Sequence, residues 1–366
     1  MMLQSHAIRY LERIIMGYPK FSMDELQVTK SLPGMRGRIT EIFNTPITPR
    51  ENMLRMYQGK TPMWIPSPGE WQSLRPIIDP ENQARSKTGG IDGYGVEWMW
   101  VDVAGGAMVK PGSPICSDIN EWEKTVTIPN PDEWDWKGLA EEQKDFFDPD
   151  LPHHVGFGSC LFERLMAILD AGNALLALVD EEQQEGVHRF FRAVTDYRKR
   201  YYELCKQWFD IDILNWNDDW GTQKAPFFSV STAREMLLPY FKESMDKIHE
   251  LGCYGELHCC GMVEPLVPLF IEGGMDSWQG QPLNDKIKLK KMYKDTGFIF
   301  SHAIDLPEGT DEAEVKAAVK QYMEDFGYDN RCFNITRTCM QAFNRELYIQ
   351  SRKNFDKMVE EGTAIL

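Results

Sequence analysis

Short apolar or β-branched segments alternate with longer amphipathic segments along the chain from about Met63 onward. This alternation is typical of parallel strands that are joined by helices. The clearest cycle has the strand DIDILNWND, a polar loop, and a helix that begins at Thr232, where Thr232 and Glu235 have capping-box spacing, and stops at Gly252. The same pattern predicts strands at MWIPSP, VEWMWVDV, VGFG, YGELHCC, MDSWQG, FIFSHAI and CFNIT, which makes eight in all.

Eight such units favour an α/β fold of one closed (β/α)8 TIM barrel over an open doubly wound sheet, which usually has fewer strands and a glycine-rich phosphate loop. The sequence contains neither GxGxxG nor GxxxxGK[ST]. Residues 1–55 are predicted to form an N-terminal helical extension packed on the barrel, and residues 56–366 the catalytic barrel. Because the active sites of such barrels lie at the carboxyl ends of the strands, side chains that follow the predicted strands are the candidate site residues.

The composition of the 366-residue chain narrows its possible partners. A hydrophobic content of 42% supports a sizeable core, and a net charge of −16 argues against a nucleic acid or an anionic membrane surface, because both repel an acidic protein. The N-terminal segment has frequent charges and no cleavage site of small residues, and no apolar run approaches the roughly 20 residues that span a bilayer. We therefore expect a cytoplasmic enzyme whose cysteines are thiols rather than disulfides.

The segment ELHCCG brings a histidine and two cysteines together at the end of a predicted strand. His258 and Cys260 are two residues apart, so their side chains point to one face of the strand, whereas Cys259 points to the other. Imidazole and thiolate suit zinc, and a catalytic zinc usually keeps three protein ligands and one open position. Free cysteines are often buried, so the competing interpretation places this segment in the apolar core.

A third zinc ligand has to come from another strand end. Cys339 follows the eighth predicted strand and is our predicted ligand, whereas Cys332 lies at the start of that strand and so at the opposite end of a barrel. A carboxylate or His302 is the remaining alternative.

Several polar and aromatic side chains complete the candidate site. The paired acids Asp218 and Asp219 end an apolar strand, where they either cap a loop or act as catalytic acids that protonate a leaving group. By contrast, His153 and His154 follow a proline and are expected at the surface. The candidate substrate-binding residues are Trp98, Trp100, Gln223, Gln279 and His302.

An ordered set of segments carries a resemblance to a known family. The set comprises TPRENMLRMYQGKTPMWIPSP from residue 48, DINEWEKTVTIPNPDEW at 118–134, DDWGTQKAPFFS at 218–229, LHCCGMVEPLVPLFIEGGMD at 257–276, and TCMQAFNRELYIQS near the C-terminus. With these segments the chain resembles the uroporphyrinogen decarboxylase superfamily, specifically its corrinoid-dependent methyltransferase branch. The resemblance implies a (β/α)8 barrel with an N-terminal helical extension and a zinc bound by His258, Cys260 and Cys339.

The resemblance also implies a reaction: methyl transfer between a small methylated substrate and the cobalt of a corrinoid. The corrinoid-binding signature Asp-x-His-x-x-Gly is absent from the sequence, so we expect a separate corrinoid-binding protein as partner. The favoured substrate is a methoxylated aromatic, which would lose its methyl group by O-demethylation. The principal alternative is methylation of a thiol by methyl-Co(III).

Two other functions fit the sequence less well. A porphyrinogen decarboxylase should carry several arginines near its first strand, where this chain has Arg75 alone, and it would leave the zinc ligands unused. A barrel that only senses a ligand would be expected to lack a complete ligand set or an acid at the site.

Overall fold

A computed structural model describes residues 17–33, 39–103, 105–112, 114–338 and 340–366. The chain divides into two compact units. One comprises residues 71–303, and the other combines residues up to 70 with residues 304–366. The predicted ligand Cys339 lies outside the described residues.

The strands of the described residues are β1 Val28–Pro33, β2 Ile39–Phe43, β3 Gln72–Leu74, β4 Gly90–Ile91, β5 Glu97–Val101, β6 Gly106–Val109, β7 His153–Ser159, β8 Ile213–Asn217, β9 Tyr254–Cys259, β10 Ser277–Gly280, β11 Ile299–His302 and β12 Cys332–Asn334. The α-helices are α1 Pro49–Tyr57, α2 Pro80–Ala84, α3 Trp136–Glu142, α4 Leu161–Leu169, α5 Ala171–Ala177, α6 Gln184–Trp208, α7 Val230–Met236, α8 Leu238–Glu250, α9 Val267–Glu272, α10 Lys286–Met292, α11 Glu312–Asp325 and α12 Met340–Glu360. Short 3-10 helices lie at Met23–Leu26, Ile119–Lys124, Pro131–Glu133 and Glu264–Leu266.

Six strands of a parallel sheet form the centre of the 71–303 unit, in the order β3-β7-β8-β9-β10-β11. Helices separate successive strands along the chain, as the alternating pattern predicts. One face of the sheet carries Trp216 and Trp278, both fully buried, which pack against Phe241 of α8 and Phe270 of α9 at ring-centroid distances of 5.3 and 6.0 Å. Each aromatic side chain removed from water contributes roughly 1.5–3 kcal/mol, so this layer anchors the helices to the sheet.

A closed barrel of eight strands is not what the described residues of this unit show. Its parallel sheet begins at β3 and ends at β11, and no pairing within residues 71–303 joins these two strands. Two predicted strands explain the difference. MWIPSP forms no strand, because Pro66 and Pro68 cannot donate to a ladder and the Met63 amide donates instead to Asn52 Oδ1 at 2.7 Å.

The other displaced segment is VEWMWVDV, which belongs to a separate sheet. It forms β5, the middle strand of the antiparallel sheet β4-β5-β6. Turns on both sides of β5 connect it to its neighbours in sequence, and this favours antiparallel hairpins over the crossover that a parallel strand requires. The other six predicted strands are present as β7 to β12.

The helix predicted to begin at Thr232 begins two residues earlier, at Val230, and its N-cap lies three residues before the one that the capping-box spacing suggested. Ser229 is the N-cap of α7, and its Oγ accepts a hydrogen bond from the Thr232 amide at 3.0 Å. Thr232 therefore lies in the first turn of the helix, where the Ser229 hydroxyl accepts its amide hydrogen bond, and is not the N-cap that the sequence predicted.

The second unit has its own core. Phe43 at the end of β2, Trp64 in the segment after α1, and Tyr348 and Phe355 of the C-terminal α12 form one buried cluster. Arg352 of α12 forms a buried ion pair with Glu25, with 2.9 Å between Nε and Oε2. The described part of residues 1–55 thus contains a strand pair as well as helix α1. In the ranges that the structure describes, no helix combines the length and apolarity needed to cross a bilayer.

Candidate metal centre

The centre lies at the carboxyl ends of β8, β9 and β10, where Asn217, His258 and Gln279 are register partners on neighbouring strands. Register partners in a parallel sheet point to the same face, so these three side chains form one row. Cys259 points the other way: it is fully buried, and its Sγ accepts a hydrogen bond from the Trp220 amide at 3.3 Å. The opposite orientations expected for His258 and Cys259 are therefore present.

Three candidate ligand atoms converge beside this row. Atoms of Asp219, His258 and Cys260 lie within 4.8 Å of one another, and all three residues are half-buried. The distance between Cys260 Sγ and His258 Nε2 is 3.5 Å, and Asp219 Oδ1 accepts a hydrogen bond from the Cys260 amide at 2.6 Å. The carboxylate that the sequence suggested as a catalytic acid thus lies among the predicted zinc ligands.

Close packing of two backbone segments holds Asp219 against Cys260. Gly261 has a φ of +89°, and a Cβ there would lie 2.2 Å from the carbonyl oxygen of Gly221. The Met262 amide donates to the Thr222 carbonyl at 2.7 Å, and the Asp218 amide donates to the His258 carbonyl at 3.1 Å. Only glycine at position 261 permits this approach.

The donor set fits a zinc ion. One imidazole, one thiol and one carboxylate are zinc ligands, and three protein ligands leave one position open. Burial, and next the neighbouring Asp219 carboxylate, raise the pKa of the Cys260 thiol to about 12. No salt-bridge partner of Asp219 is found among the described residues, so the cluster offers negative charge that a bound cation would neutralise.

Asp218 differs sharply from its neighbour Asp219. It is fully buried, and its carboxylate accepts hydrogen bonds from the amides of Phe162 and Glu163 at 3.0 and 2.8 Å and from Trp220 Nε1 at 2.7 Å. Burial raises the pKa of Asp218 to about 6 although these hydrogen bonds oppose the shift. Because the carboxylate caps the first turn of α4, its placement favours a structural role over the proton-donor role expected from the sequence.

Glu163 is a candidate that the sequence analysis missed. It lies in the first turn of α4, is half-buried, and accepts a hydrogen bond from Asn217 Nδ2 at 2.8 Å. Burial raises the pKa of Glu163 well above its ordinary value; the nearby Arg85 guanidinium opposes this shift, and the carboxylates of Asp219 and Asp218 add to it. Its sequence signal was an acid shortly after the strand VGFG, at the carboxyl end where barrel enzymes place their chemistry.

A second polar row lies one layer below the metal centre. Glu256 is buried, accepts a hydrogen bond from Asn215 Nδ2 at 3.3 Å, and lies 3.6 Å from His154 Nδ1. Burial alone would raise the pKa of Glu256, but hydrogen bonding to His154, Gln279 and Asn215 lowers it overall.

The expectation that His153 and His154 lie at the surface is wrong. Both are 3% exposed because they begin the central strand β7. The ring of His154 stacks on Trp71 at a centroid distance of 6.1 Å, and that of His153 on Phe147 at 4.3 Å.

The remaining candidate residues are dispersed. Trp98 and Trp100 lie on β5 of the antiparallel sheet, where their Nε1 atoms donate to Asp92 Oδ2 and Asp102 Oδ1. Gln223 is exposed in the loop after β8. His302 is half-buried at the end of β11, on the same face of that strand as Phe300. The structure therefore brings Gln279 and Asp219 to the His258–Cys260 pair, and it places the two tryptophans on another sheet. Cys332, the alternative ligand, is fully buried in β12.

No family model and no curated protein sequence matches the chain. Its architecture, however, has solved counterparts. The fold is shared with a methyltransferase. That protein, a methyltransferase from Methanosarcina mazei, aligns with a TM-score of 0.59 at 12% sequence identity, over 85% of this chain and 99% of that one.

Other solved structures align less well. A glycosylated endo-beta-1,4-xylanase from Gloeophyllum trabeum has a TM-score of 0.38 at 10% identity, over 62% of this chain and 82% of that chain. The IOLI protein with a binding zinc atom has a TM-score of 0.33 at 13% identity, over 64% and 84%. At these scores only the methyltransferase informs the fold.

Proposed function

We propose that this chain is a zinc-dependent methyltransferase that moves a methyl group between a small methylated substrate and the cobalt of a separate corrinoid protein. One observation carries the proposal: Asp219, His258 and Cys260 converge at the carboxyl ends of parallel strands. The fold shared with a methyltransferase and the resemblance to the corrinoid-dependent branch support it.

The chain's own residues would hold the zinc through an imidazole nitrogen of His258, Sγ of Cys260 and a carboxylate oxygen of Asp219. Cys339 stays a proposed ligand on the basis of the resemblance. When bound, zinc supplies Lewis-acid polarisation of a donor oxygen or stabilises a thiolate. Gln279, the register partner of His258, is our proposed residue for orienting a substrate at the open position.

The electrostatics of the centre favour demethylation of a neutral ether. Asp219 lies within the ligand set and Asp218 directly precedes it, so two acidic groups stand beside the His258–Cys260 pair. This negative charge would repel a thiolate acceptor, and it would repel a porphyrinogen with several carboxylates more strongly. A methoxylated aromatic carries no such charge and is the substrate class that we favour, with thiol methylation by methyl-Co(III) as the alternative.

The test combines metal analysis with a transfer assay. Zinc per chain is measured by mass spectrometry, and consumption of cob(I)alamin is followed by its absorbance with anisole as methyl donor. We expect about one zinc per chain. We expect His258→Ala and Cys260→Ala to lose both the zinc and, by at least about 100-fold, the transfer rate.

Cys253→Ala is the matched control. Cys253 precedes β9 at its amino end, is buried like a structural thiol, and should keep both zinc and activity. If the wild-type protein binds no zinc after reconstitution under reducing conditions, or if both ligand variants retain it, the proposed function is wrong. Methylation of an added thiol by methylcobalamin, without transfer from anisole, would instead favour the alternative direction.

A further inference from the structure

Demethylation of an ether leaves an alkoxide or phenolate that needs a proton, and the acids nearest the metal centre are not equally able to supply one. Asp218 is fully buried and already accepts three hydrogen bonds, which seal its carboxylate away from a substrate. Asp219 lies among the candidate zinc ligands, where its carboxylate would be occupied by the cation. Neither is well placed to donate a proton.

Glu163 is connected to the centre through a single side chain. Asn217 is the register partner of His258, and its Nδ2 donates to Glu163 Oε2 at 2.8 Å. The amide of Glu163 in turn donates to Asp218 Oδ1 at 2.8 Å, which fixes the start of α4 relative to the strand end. A single side chain, that of Asn217, thus connects the Glu163 carboxyl to the strand position beside His258.

The two carboxyl oxygens of Glu163 have different surroundings. Oε2 is occupied by the Asn217 amide, and no hydrogen bond to Oε1 is found among the described residues. The Glu163 residue is half-buried rather than enclosed, unlike Asp218. This arrangement leaves one oxygen to carry a proton.

Burial raises the pKa of Glu163 well above its ordinary value, although the nearby Arg85 guanidinium opposes the shift. A carboxyl group in such surroundings remains protonated where an ordinary glutamate is ionised. Environments that push neighbouring carboxyl groups to different protonation states are how enzymes separate an acid from an ionised ligand.

We propose that Glu163 is the general acid that protonates the leaving oxygen of the methyl donor. The inference rests on the proposed function and deepens it. The O–CH3 bond breaks, and its electron pair stays on the oxygen, which takes the proton from Glu163 Oε1. The methyl carbon forms its new bond with the electron pair of the Co(I) corrinoid, which becomes methyl-Co(III). Water then returns a proton to the Glu163 carboxylate.

The experiment compares two methyl donors in the wild-type protein and in Glu163→Gln, with cob(I)alamin as acceptor. Anisole leaves as a basic phenolate that needs a proton, whereas 4-nitroanisole leaves as a weakly basic nitrophenolate. We expect Glu163→Gln to slow transfer from anisole by about 10²–10⁴-fold and transfer from 4-nitroanisole far less. Glu141→Gln, which changes an exposed acid of α3, should leave both rates unaltered.

A second readout does not depend on turnover. The infrared C=O stretch of a protonated carboxylic acid should be present in the resting protein at neutral pH and be diminished in Glu163→Gln. Zinc content and circular dichroism of the variant should match the wild type, because Gln keeps an oxygen for the Asn217 hydrogen bond.

The outcomes separate the two proposals. Equal losses with both donors, or no loss with anisole, would overturn the role of Glu163 while leaving the proposed function intact. A wild-type protein that binds zinc but transfers methyl from neither ether would overturn O-demethylation, and the general acid with it. A selective loss with anisole, together with the infrared difference, would support the assignment.

Discussion

Adjacent aspartates at the end of β8 have different surroundings, and a substitution at each should have a different effect. Asp218 is enclosed and bonded to the first turn of α4, whereas Asp219 is half-buried beside His258 and Cys260. Asp218→Ala leaves buried amides without an acceptor, so we expect it to lower the free energy of unfolding by about 2–4 kcal/mol. Asp219→Ala removes a candidate ligand and should affect stability little while weakening zinc binding by at least about 10-fold.

Urea unfolding of the zinc-free variants and competition with a zinc indicator distinguish the two effects. Asp276→Ala provides a comparison, since this half-buried acid accepts hydrogen bonds from His249 and the Gly255 amide near the amino end of β9. It should lose some stability and keep its zinc affinity. Similar zinc affinities in Asp219→Ala and the wild type would place the third ligand elsewhere, with Cys339 as the first candidate.

At the scale of elements, the segments that follow β8 and β9 depend on each other through two glycines. A Cβ at Gly261 would meet the Gly221 backbone, and the positive φ adds a cost of roughly 1–2 kcal/mol for any other residue. Gly261→Ala should therefore push the segments apart, separate Asp219 from Cys260, and lower zinc affinity by about 10–100-fold.

Gly252→Ala isolates the backbone strain from the steric effect. Gly252 also has a positive φ, of +71°, but at the end of α8 nothing lies within 4 Å of the position that a Cβ would take. We expect a comparable loss of stability from strain and an unchanged zinc affinity, measured with the same indicator. If both glycine variants bind zinc equally well, the close approach of the two segments does not set the ligand geometry.

The elements that the sequence predicted well are those whose signal is local. Strands β7 to β12 combine apolar residues with flanking turn residues, and the alternation along β9 was enough to separate His258 from Cys259. The exceptions depend on distant partners. The Met63 amide donates to Asn52 Oδ1, although its segment has the sequence pattern of a strand. Strand β5 pairs with its hairpin neighbours β4 and β6 instead of joining the parallel sheet.

The candidate site divides in the same way. The His-x-Cys spacing was visible because both residues belong to one strand. The convergence of Asp219, by contrast, depends on a contact between two loops, and that of Glu163 on a hydrogen bond from Asn217, a residue 54 positions away. Neither contact leaves a trace in residue spacing, so the sequence identified the acids only as a class.

At the scale of the whole molecule, the metal proposal has a consequence for stability. A ligand that binds only the folded chain adds RT ln(1 + [L]/Kd) to the free energy of unfolding, which is about 2.7 kcal/mol when free zinc is 100 times Kd. Asp219 follows one strand, and His258 and Cys260 lie at the end of another, 39 positions further along the chain. Unfolding therefore separates the three candidate ligands. We therefore expect the melting temperature of the zinc-loaded protein to fall when a strong chelator removes the metal and to recover when zinc is restored.

His258→Ala should melt at a temperature that neither treatment changes. An equal response to zinc in the wild type and in His258→Ala would show that the stabilising ion binds at another place. A wild-type melting temperature that neither zinc nor the chelator changes would contradict the metal centre itself.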